Sequence, residues 1–207
     1  MTFGEICQET IRLCQFDADE PSPTEVSKYV NMAIQAASRF TRHLIGFYEE
    51  SVASGTNEVD LGNKVVDIEQ VWWNNTLLEP ETRPWTQSPT QTGTPTRYQS
   101  SGSRIILFPK PNANGTLYVR AIELHKTITN SSEAPSLPAD MHLSLAWYAA
   151  GIWLMGYSVH SEQTRRAQNL IQMAMQYWQT IATQSQIRGI ETKRERFVLP
   201  TGGSNAS

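Results

Sequence analysis

The sequence is poor in the features that define several common classes of protein. Only two of its 207 residues are Cys, so it cannot form a disulfide scaffold. Charged residues make up 18% of the chain and the formal net charge is −3. A negative net charge argues against a protein that binds duplex DNA by overall electrostatic attraction. The 39% of hydrophobic residues nevertheless suffices for a buried core and rules out wholesale disorder.

Motifs for nucleotide binding, hydrolysis and zinc binding are also missing. The chain has no GxxxxGKS/T or GxGxxG loop, no GxSxG elbow and no HExxH helix. Its four histidines are scattered without a second ligand at helical spacing, so we expect no metal site and no cofactor. His142 follows Asp140 in the first turn of a predicted helix, where we expect a solvent-facing pair.

No apolar run is long enough for a membrane span. The most apolar window, Leu143–Tyr157, would reach about 22 Å as a helix, short of the roughly 30 Å hydrocarbon core. The chain also begins without a basic n-region or an apolar h-region. We therefore expect a buried helix at this window, and neither a secretory route nor a membrane partner.

Hydrophobic periodicity predicts two helices early in the chain and two late in it. Cys7 and Cys14 lie two turns apart on the first helix, too far for a disulfide. Ser22-Pro23-Thr24-Glu25 opens the second helix with an N-cap, a proline at N1 and a capping box. The third helix is apolar on every face, so neighbours must cover it. The predicted helices cover residues 2–16, 23–47, 138–159 and 161–187.

Between the helix pairs, residues 51–124 form short extended runs broken by Gly, Pro, Asn and Thr. Tight turns are predicted at Asn74-Asn75 and at Ser101-Gly102. The stretch from Pro80 to Pro95 reads as a surface excursion. The predicted strands are Val59–Leu61, Val65–Trp73, Thr96–Gln99, Arg104–Phe108 and Thr116–Leu124.

The expected fold is α+β and mainly α. A bundle of four main helices would carry an inserted, short-stranded antiparallel β region, and residues 1–187 would form a single domain. Residues 188–207 would be a flexible C-terminal arm, since they have too little apolar mass to fold alone. The arm carries a mixed-charge stretch and then a short apolar run, which either docks on a partner or stays disordered; its candidate contact residues are Arg188, Lys193, Arg194, Arg196, Phe197, Val198, Leu199 and Pro200.

Two further groups of residues have alternative interpretations. A carboxylate pair for glycoside cleavage could come from Glu49, Glu50, Glu79 or Glu81, although exposed acids at helix ends and in loops are the usual reading. Trp72, Trp73 and Trp85 could form a stacking platform, or could supply one core residue and one interface residue.

The order of elements along the chain is the most informative feature. A short helix, a capped long helix, a Trp-containing β region, a Leu-Pro entry into an apolar helix and a final amphipathic helix follow one another. The segments that carry this order are Phe3–Ile6, Ser22–Ala37, Val66–Trp73, Arg104–Pro111, Ala134–Pro138 and Leu143–Tyr157. This order resembles the head-to-tail adaptor (connector) proteins of tailed bacteriophages, whose ring lies under the portal.

The resemblance implies a structural virion protein at the head-to-tail interface, made in the host cytoplasm. Its partners would be further copies in a homo-oligomeric ring, a dodecamer in the usual case, the portal protein, and tail nozzle or fibre proteins. Phage DNA would pass through the lumen without specific binding, and the tail would attach to the ring. Residues from Arg188 through Pro200 would contact the portal or a neighbouring copy. The tail side or a neighbouring copy would be contacted by Trp72, Trp73 and Trp85.

The resemblance transfers no catalytic residue, so we expect no enzyme. The alternative that remains open is a peptidoglycan-degrading virion hydrolase that uses a carboxylate pair. A free DNA-binding regulatory protein is disfavoured by the net charge of −3.

Overall fold

The computed structural model describes residues 1–14, 22–81, 91–157 and 161–192, with side chains described as far as residue 183. The described helices fall into an N-terminal and a C-terminal pair. A short 3₁₀ turn, Ala139–Met141, leads directly into the third helix. The helices are α1 (Phe3–Cys14), α2 (Pro23–Thr41), α3 (His142–Tyr157) and α4 (Ser161–Thr192).

The four helices pack around a common core. α3 contacts α1, α2 and α4, which confirms that neighbours cover a helix apolar on every face. Trp178 of α4 is buried at the centre, and its Nε1 donates a 2.8 Å hydrogen bond to Oγ of Ser144 on α3. The indole therefore adds a large buried surface without leaving its N–H unsatisfied.

The capping box at the start of α2 is confirmed. The Ser22 hydroxyl accepts from the Glu25 amide at 3.3 Å, and the Glu25 carboxylate accepts from the Ser22 amide at 3.0 Å. The end of α2 differs from the prediction, because Arg42 adopts the left-handed conformation with φ 52° and stops the helix after Thr41. The predicted helix over residues 23–47 was therefore six residues too long.

Ten strands in the described residues form three sheets. The first sheet has the order β1-β10-β3-β4 and the second the order β2-β8-β7-β5, while β6 and β9 form a two-stranded parallel pair. The strands are β1 (Ile45–Val52), β2 (Glu58–Asp60), β3 (Val65–Trp73), β4 (Thr76–Leu77), β5 (Glu79–Pro80), β6 (Thr92–Gly93), β7 (Arg97–Ser101), β8 (Arg104–Phe108), β9 (Lys110–Pro111) and β10 (Gly115–Glu123).

Both predicted tight turns are found, but the one predicted at Ser101-Gly102 is shifted by one residue. Asn74 and Asn75 have positive φ of 44° and 71° and connect β3 to β4, as a type I′ hairpin turn requires. The β7–β8 hairpin turns at Gly102 and Ser103, with Ser101 paired to Arg104.

The first two sheets enclose a second core that is separate from the helical one. Val71 and Leu117 of the first sheet and Leu107 of the second are fully buried in the same cluster. Trp73 closes this cluster, with only 4% of its surface exposed, and its ring lies against Gly115, where a Cβ would overlap the ring. A β region with its own two-sheet core is an independent layer of the structure.

The expected fold, a mainly helical bundle with a small inserted β region, was therefore wrong. The strands do not begin at residue 51 but at Ile45, and three of them are eight or nine residues long. The reason is that residues 45–52 alternate between the two faces of a sheet. The sequence pattern instead places residues 45–47 in α2 and begins the β region at residue 51.

The segment that returns from β10 to α3 is extended and lies along the helical bundle. Asn31 on α2 bonds both the carbonyl and the amide of Ile128, at 2.9 and 2.8 Å, and so pairs with the segment as another strand would. The amide of Phe3 donates to the Glu133 carbonyl at 2.7 Å. The segment thus ties the β layer to α1 and α2.

His142 is buried, which corrects the expectation of a solvent-facing pair with Asp140. Its Nδ1 accepts from the Met1 ammonium at 3.0 Å and its Nε2 lies 3.1 Å from the Leu137 carbonyl oxygen. Both ring nitrogens therefore have partners, and the imidazole joins the start of α1 to the entry of α3.

Candidate interaction surfaces

The outward side of the first sheet carries a row of apolar and aromatic residues. Trp72 on β3 lies directly opposite Tyr118 on β10 and Leu77 on β4, so the three side chains share one face. Leu77 is 55% exposed, whereas Trp72 and Tyr118 are half-buried. Phe47, on β1 of the same face, is 63% exposed. We call Phe47, Trp72, Leu77 and Tyr118 the outer sheet face.

The two adjacent tryptophans lie on opposite sides of the first sheet. Because successive side chains of a strand point to opposite sides, Trp73 enters the two-sheet core while Trp72 lies on the outer face. Trp72 is therefore the member of the pair that can contact another protein. Trp85, the third predicted contact residue, lies outside the described residues.

On its inner side, β1 is joined to β10 by a partly buried hydrogen bond between two side chains. The Tyr48 hydroxyl donates to the Glu123 carboxylate. The pKa of Tyr48 is raised to about 12, mainly by burial and to a smaller extent by this bond and by the charge of Glu123. Gly46 leaves room for the Glu123 side chain, which a Cβ at that position would overlap. This contact holds β1 against the sheet, so that the strand presents Phe47 in a defined direction.

A second apolar surface lies on the helical half of the molecule. Phe40 of α2, Met155 of α3, and Ile171 and Met175 of α4 line a shallow surface groove of about 360 Å³. Phe40, Met155 and Met175 are each exposed to about two-fifths. Glutamines border the groove along α4, namely Gln168, Gln172, Gln176 and Gln179.

The sequence predicts the helices that carry Phe40 and these glutamines, but it does not predict this groove. The available signal was Met155 and Met175, since flexible thioethers are common at adaptable binding surfaces. Phe47 and Leu77 are not predicted as surface contacts either, since Phe47 falls in the predicted helix over residues 23–47 and Leu77 only follows the predicted turn at Asn74-Asn75.

The glutamates proposed for glycoside cleavage do not converge. Glu49 and Glu50 are exposed on β1 of the first sheet, and Glu79 is exposed on β5 of the second. Glu81 forms an ion pair with Arg97. A glycosidase needs two carboxyl groups across a cleft, one of them in apolar surroundings, and these positions do not provide that arrangement.

The predicted arm is only partly within the described residues. α4 continues to Thr192, five residues beyond the predicted helix end at residue 187, so Arg188 lies in the helix. Lys193, Arg194, Arg196 and the run from Phe197 to Pro200 lie outside the described residues.

The described part of the chain shows neither a metal-binding cluster nor a membrane-spanning helix. No group of three or more His, Cys, Asp or Glu side chains there is placed to hold a metal ion. None of the helices in that part combines the length and the apolar character needed to cross a membrane.

Two exposed apolar surfaces on a small body, one on a sheet and one on a helix pair, are typical of a subunit that binds other subunits. The comparison with protein families agrees with this class. The family model described as SU10 adaptor protein matches residues 1–197, and the chain belongs to that family. It is thus a phage adaptor protein, a structural component of the virion that interacts with other head or tail proteins. No curated protein matches the chain.

Proposed function

We propose that this protein forms a homo-oligomeric ring, dodecameric in the usual pattern of such adaptors, between the portal and the tail. The observation that carries the proposal is the outer sheet face, because Phe47 and Leu77 are 63% and 55% exposed beside Trp72 on a sheet whose other side already buries a core. A large apolar surface of this kind is stabilised when another subunit covers it.

In this ring, the lumen extends the DNA channel and the outward side provides the platform for tail nozzle or fibre proteins. The low charge content supports a channel through which DNA slides, since a strongly basic lumen would retain phosphates. Trp72 and Trp85 are the proposed contacts to the tail side or to a neighbour, with Trp73 supporting Trp72 from the core. Residues from Arg188 through Pro200 contact the portal or a neighbouring copy.

Substitution of the outer sheet face tests this proposal. Leu77→Asp places a charge at the β4 edge of the outer sheet face and should prevent the chain from co-sedimenting with portal rings, while its circular dichroism stays unchanged. Asn112→Asp, at an exposed position outside this face, is the matched control and should bind as well as the unaltered chain. Undiminished binding by Leu77→Asp would remove the outer sheet face from the assembly.

A further inference from the structure

β1 is the one long strand at a sheet edge among the described residues. It has eight residues and pairs with β10 on one side only. The other edge strands of the two larger sheets, β4, β2 and β5, have only two or three residues. Long edges offer a row of backbone groups to an incoming strand, which is why they are usually kept short or covered. An exposed eight-residue edge can therefore accept a strand from another chain.

The side chains of β1 define what kind of strand it accepts. Ile45 and Phe47 are exposed apolar residues near its start, at 42% and 63%. Glu49 and Glu50 follow, both exposed, and neither takes part in an ion pair with the described residues. A matching antiparallel strand would carry basic residues first and apolar residues after them.

The chain itself contains such a segment. Residues 193–199, Lys-Arg-Glu-Arg-Phe-Val-Leu, have three basic residues ahead of an apolar run. The first 187 residues carry 13 Lys and Arg against 18 Asp and Glu, so this segment is opposite in sign to the body. In one antiparallel register, Lys193 lies opposite Glu50, Arg194 opposite Glu49, Arg196 opposite Phe47, Phe197 opposite Gly46 and Val198 opposite Ile45.

Four pairs in this register have favourable partners, whereas Glu195 lies opposite Tyr48, whose hydroxyl already bonds Glu123. The two salt-bridge pairs and the apolar pair at Ile45 are of the kinds that stabilise neighbouring strands. An arginine opposite Phe47 can stack on its ring. Phe197 would lie opposite Gly46, where the Glu123 side chain already occupies the space that a Cβ would fill.

We propose that residues 193–199 of a second copy add to β1 as an antiparallel strand. This inference rests on the proposed ring and names a contact within it. A closed ring needs two different complementary surfaces on each copy, and the β1 edge and this segment form such a pair. Ile181 is the last described residue of α4 that packs on the helical core, so the helix extends about 16 Å further before residue 193 is reached. That reach favours a neighbour over the same chain.

Cross-linking between two singly substituted full-length chains tests the pairing. One chain carries Glu49→Cys and the other Arg194→Cys, with different affinity tags, and the mixture is oxidised mildly. Both chains also carry Cys7→Ser, because Cys7 is only partly buried and could itself form a disulfide, whereas Cys14 is buried. A covalent product that carries both tags then comes from positions 49 and 194 in two copies. The expected result is that product, at a yield several-fold above the control mixture of Glu58→Cys with Arg194→Cys. Glu58 is an exposed acid on β2, an edge of the other sheet.

Mass photometry of the same mixtures distinguishes a failure of the strand addition from a failure of the proposed ring. Rings without the 49–194 cross-link would overturn the strand addition and leave the ring standing. A chain that neither assembles, alone or with portal, nor cross-links would overturn both. A Glu49→Cys/Arg194→Cys double variant that closes a bridge within one chain and gives no dimer would show that the segment folds back, and would also overturn the inference.

Charge reversal provides a second measurement without new thiols. Glu49→Arg places like charges opposite Arg194 and should raise the concentration needed for assembly about tenfold or more. Combining it with Arg194→Glu in the same chain restores the opposite charges and should recover assembly. Failure of the double variant to recover, with both variants folded, would contradict the register.

Discussion

At the residue scale, single glycines decide how closely elements approach. Gly151 lies where α3 meets α4, and a Cβ there would come within 2.6 Å of Ile171 Cγ1 and 2.9 Å of the Ala167 carbonyl oxygen. The backbone of α4 cannot move aside without separating the two helices. Gly46 and Gly115 have the same role in the β layer, where they make room for Glu123 and for Trp73.

Gly151→Ala should lower the free energy of unfolding by about 1–3 kcal/mol, because it overpacks the α3–α4 contact. Gly156→Ala is the matched control on the same helix, since nothing lies within 4 Å of a Cβ at that position. It should be neutral or should stabilise by up to about 1 kcal/mol through helix propensity. Urea denaturation of the two variants measures the difference, and equal values would contradict the close helix contact.

Tyr48→Phe removes the hydrogen bond to Glu123 and should cost about 1 kcal/mol at pH 7, a figure reduced for partial exposure. The pKa of Tyr48 is raised in the folded state to about 12, from 10. Its contribution is therefore fully present below pH 10 and is lost as the pH rises towards 12. The stability difference between the unaltered chain and Tyr48→Phe should shrink over that range.

The control for this measurement is Tyr118→Phe on the outer sheet face, which should change stability by less than about 0.5 kcal/mol. A Tyr48→Phe variant as stable as the unaltered chain at pH 7 would show that the Glu123 contact does not hold β1.

At the scale of elements, the parts with a local chemical signal could be predicted and the parts set by tertiary packing could not. The start of α2 follows from Ser22, Pro23 and Glu25, whose side chains satisfy the helix end themselves. The turn at Asn74-Asn75 follows from the tolerance of asparagine for positive φ. These features depend on residues that are adjacent in sequence.

The end of α2 and the identity of β1 lacked such a signal. Arg42, a residue with no special preference for the left-handed conformation, stops the helix, and no glycine marks the position. Phe40, Leu44 and Phe47 have a spacing that suits a helix as well as two separate elements. Pairing of Ile45–Val52 with β10, more than sixty residues away, decides the strand, and a local pattern cannot register it.

The capping box gives an element-scale prediction. Ser22→Ala should lower the free energy of unfolding by about 1 kcal/mol, because the Glu25 amide loses its acceptor and the Glu25 carboxylate loses the bond from the Ser22 hydroxyl. Hydrogen bonds from the Ser22 backbone, then from its hydroxyl, lower the pKa of Glu25 from its ordinary value of 4.5. The contribution of Glu25 is therefore present above about pH 4.5 and is lost as the pH falls below it.

Thermal unfolding at pH 7 and at pH 3 measures both effects, with Thr24→Ala, an exposed position in the same turn, as the control. The advantage of the unaltered chain over Glu25→Gln should be larger at pH 7 than at pH 3. An advantage that does not depend on pH would mean that the carboxylate does not close the box.

At the scale of the whole molecule, a helical core and a two-sheet core are joined by the extended segment after β10. Membership of the SU10 adaptor protein family establishes the class of the protein. The order of the helices and the β region along the sequence resembles that of phage adaptor proteins, although the sequence does not predict how large the β region is. The surfaces on which the ring proposal depends, Phe47 and Leu77 on the sheet and the groove beside Phe40, could not be predicted, because exposure is a property of the assembled fold.

Electron microscopy of the purified chain mixed with the portal protein of the same phage tests the central claim most directly. The account predicts added density beneath the portal ring at a constant number of copies, twelve in the usual pattern, with the outer sheet face of each copy covered. Portal rings that stay bare at high adaptor concentration would contradict it.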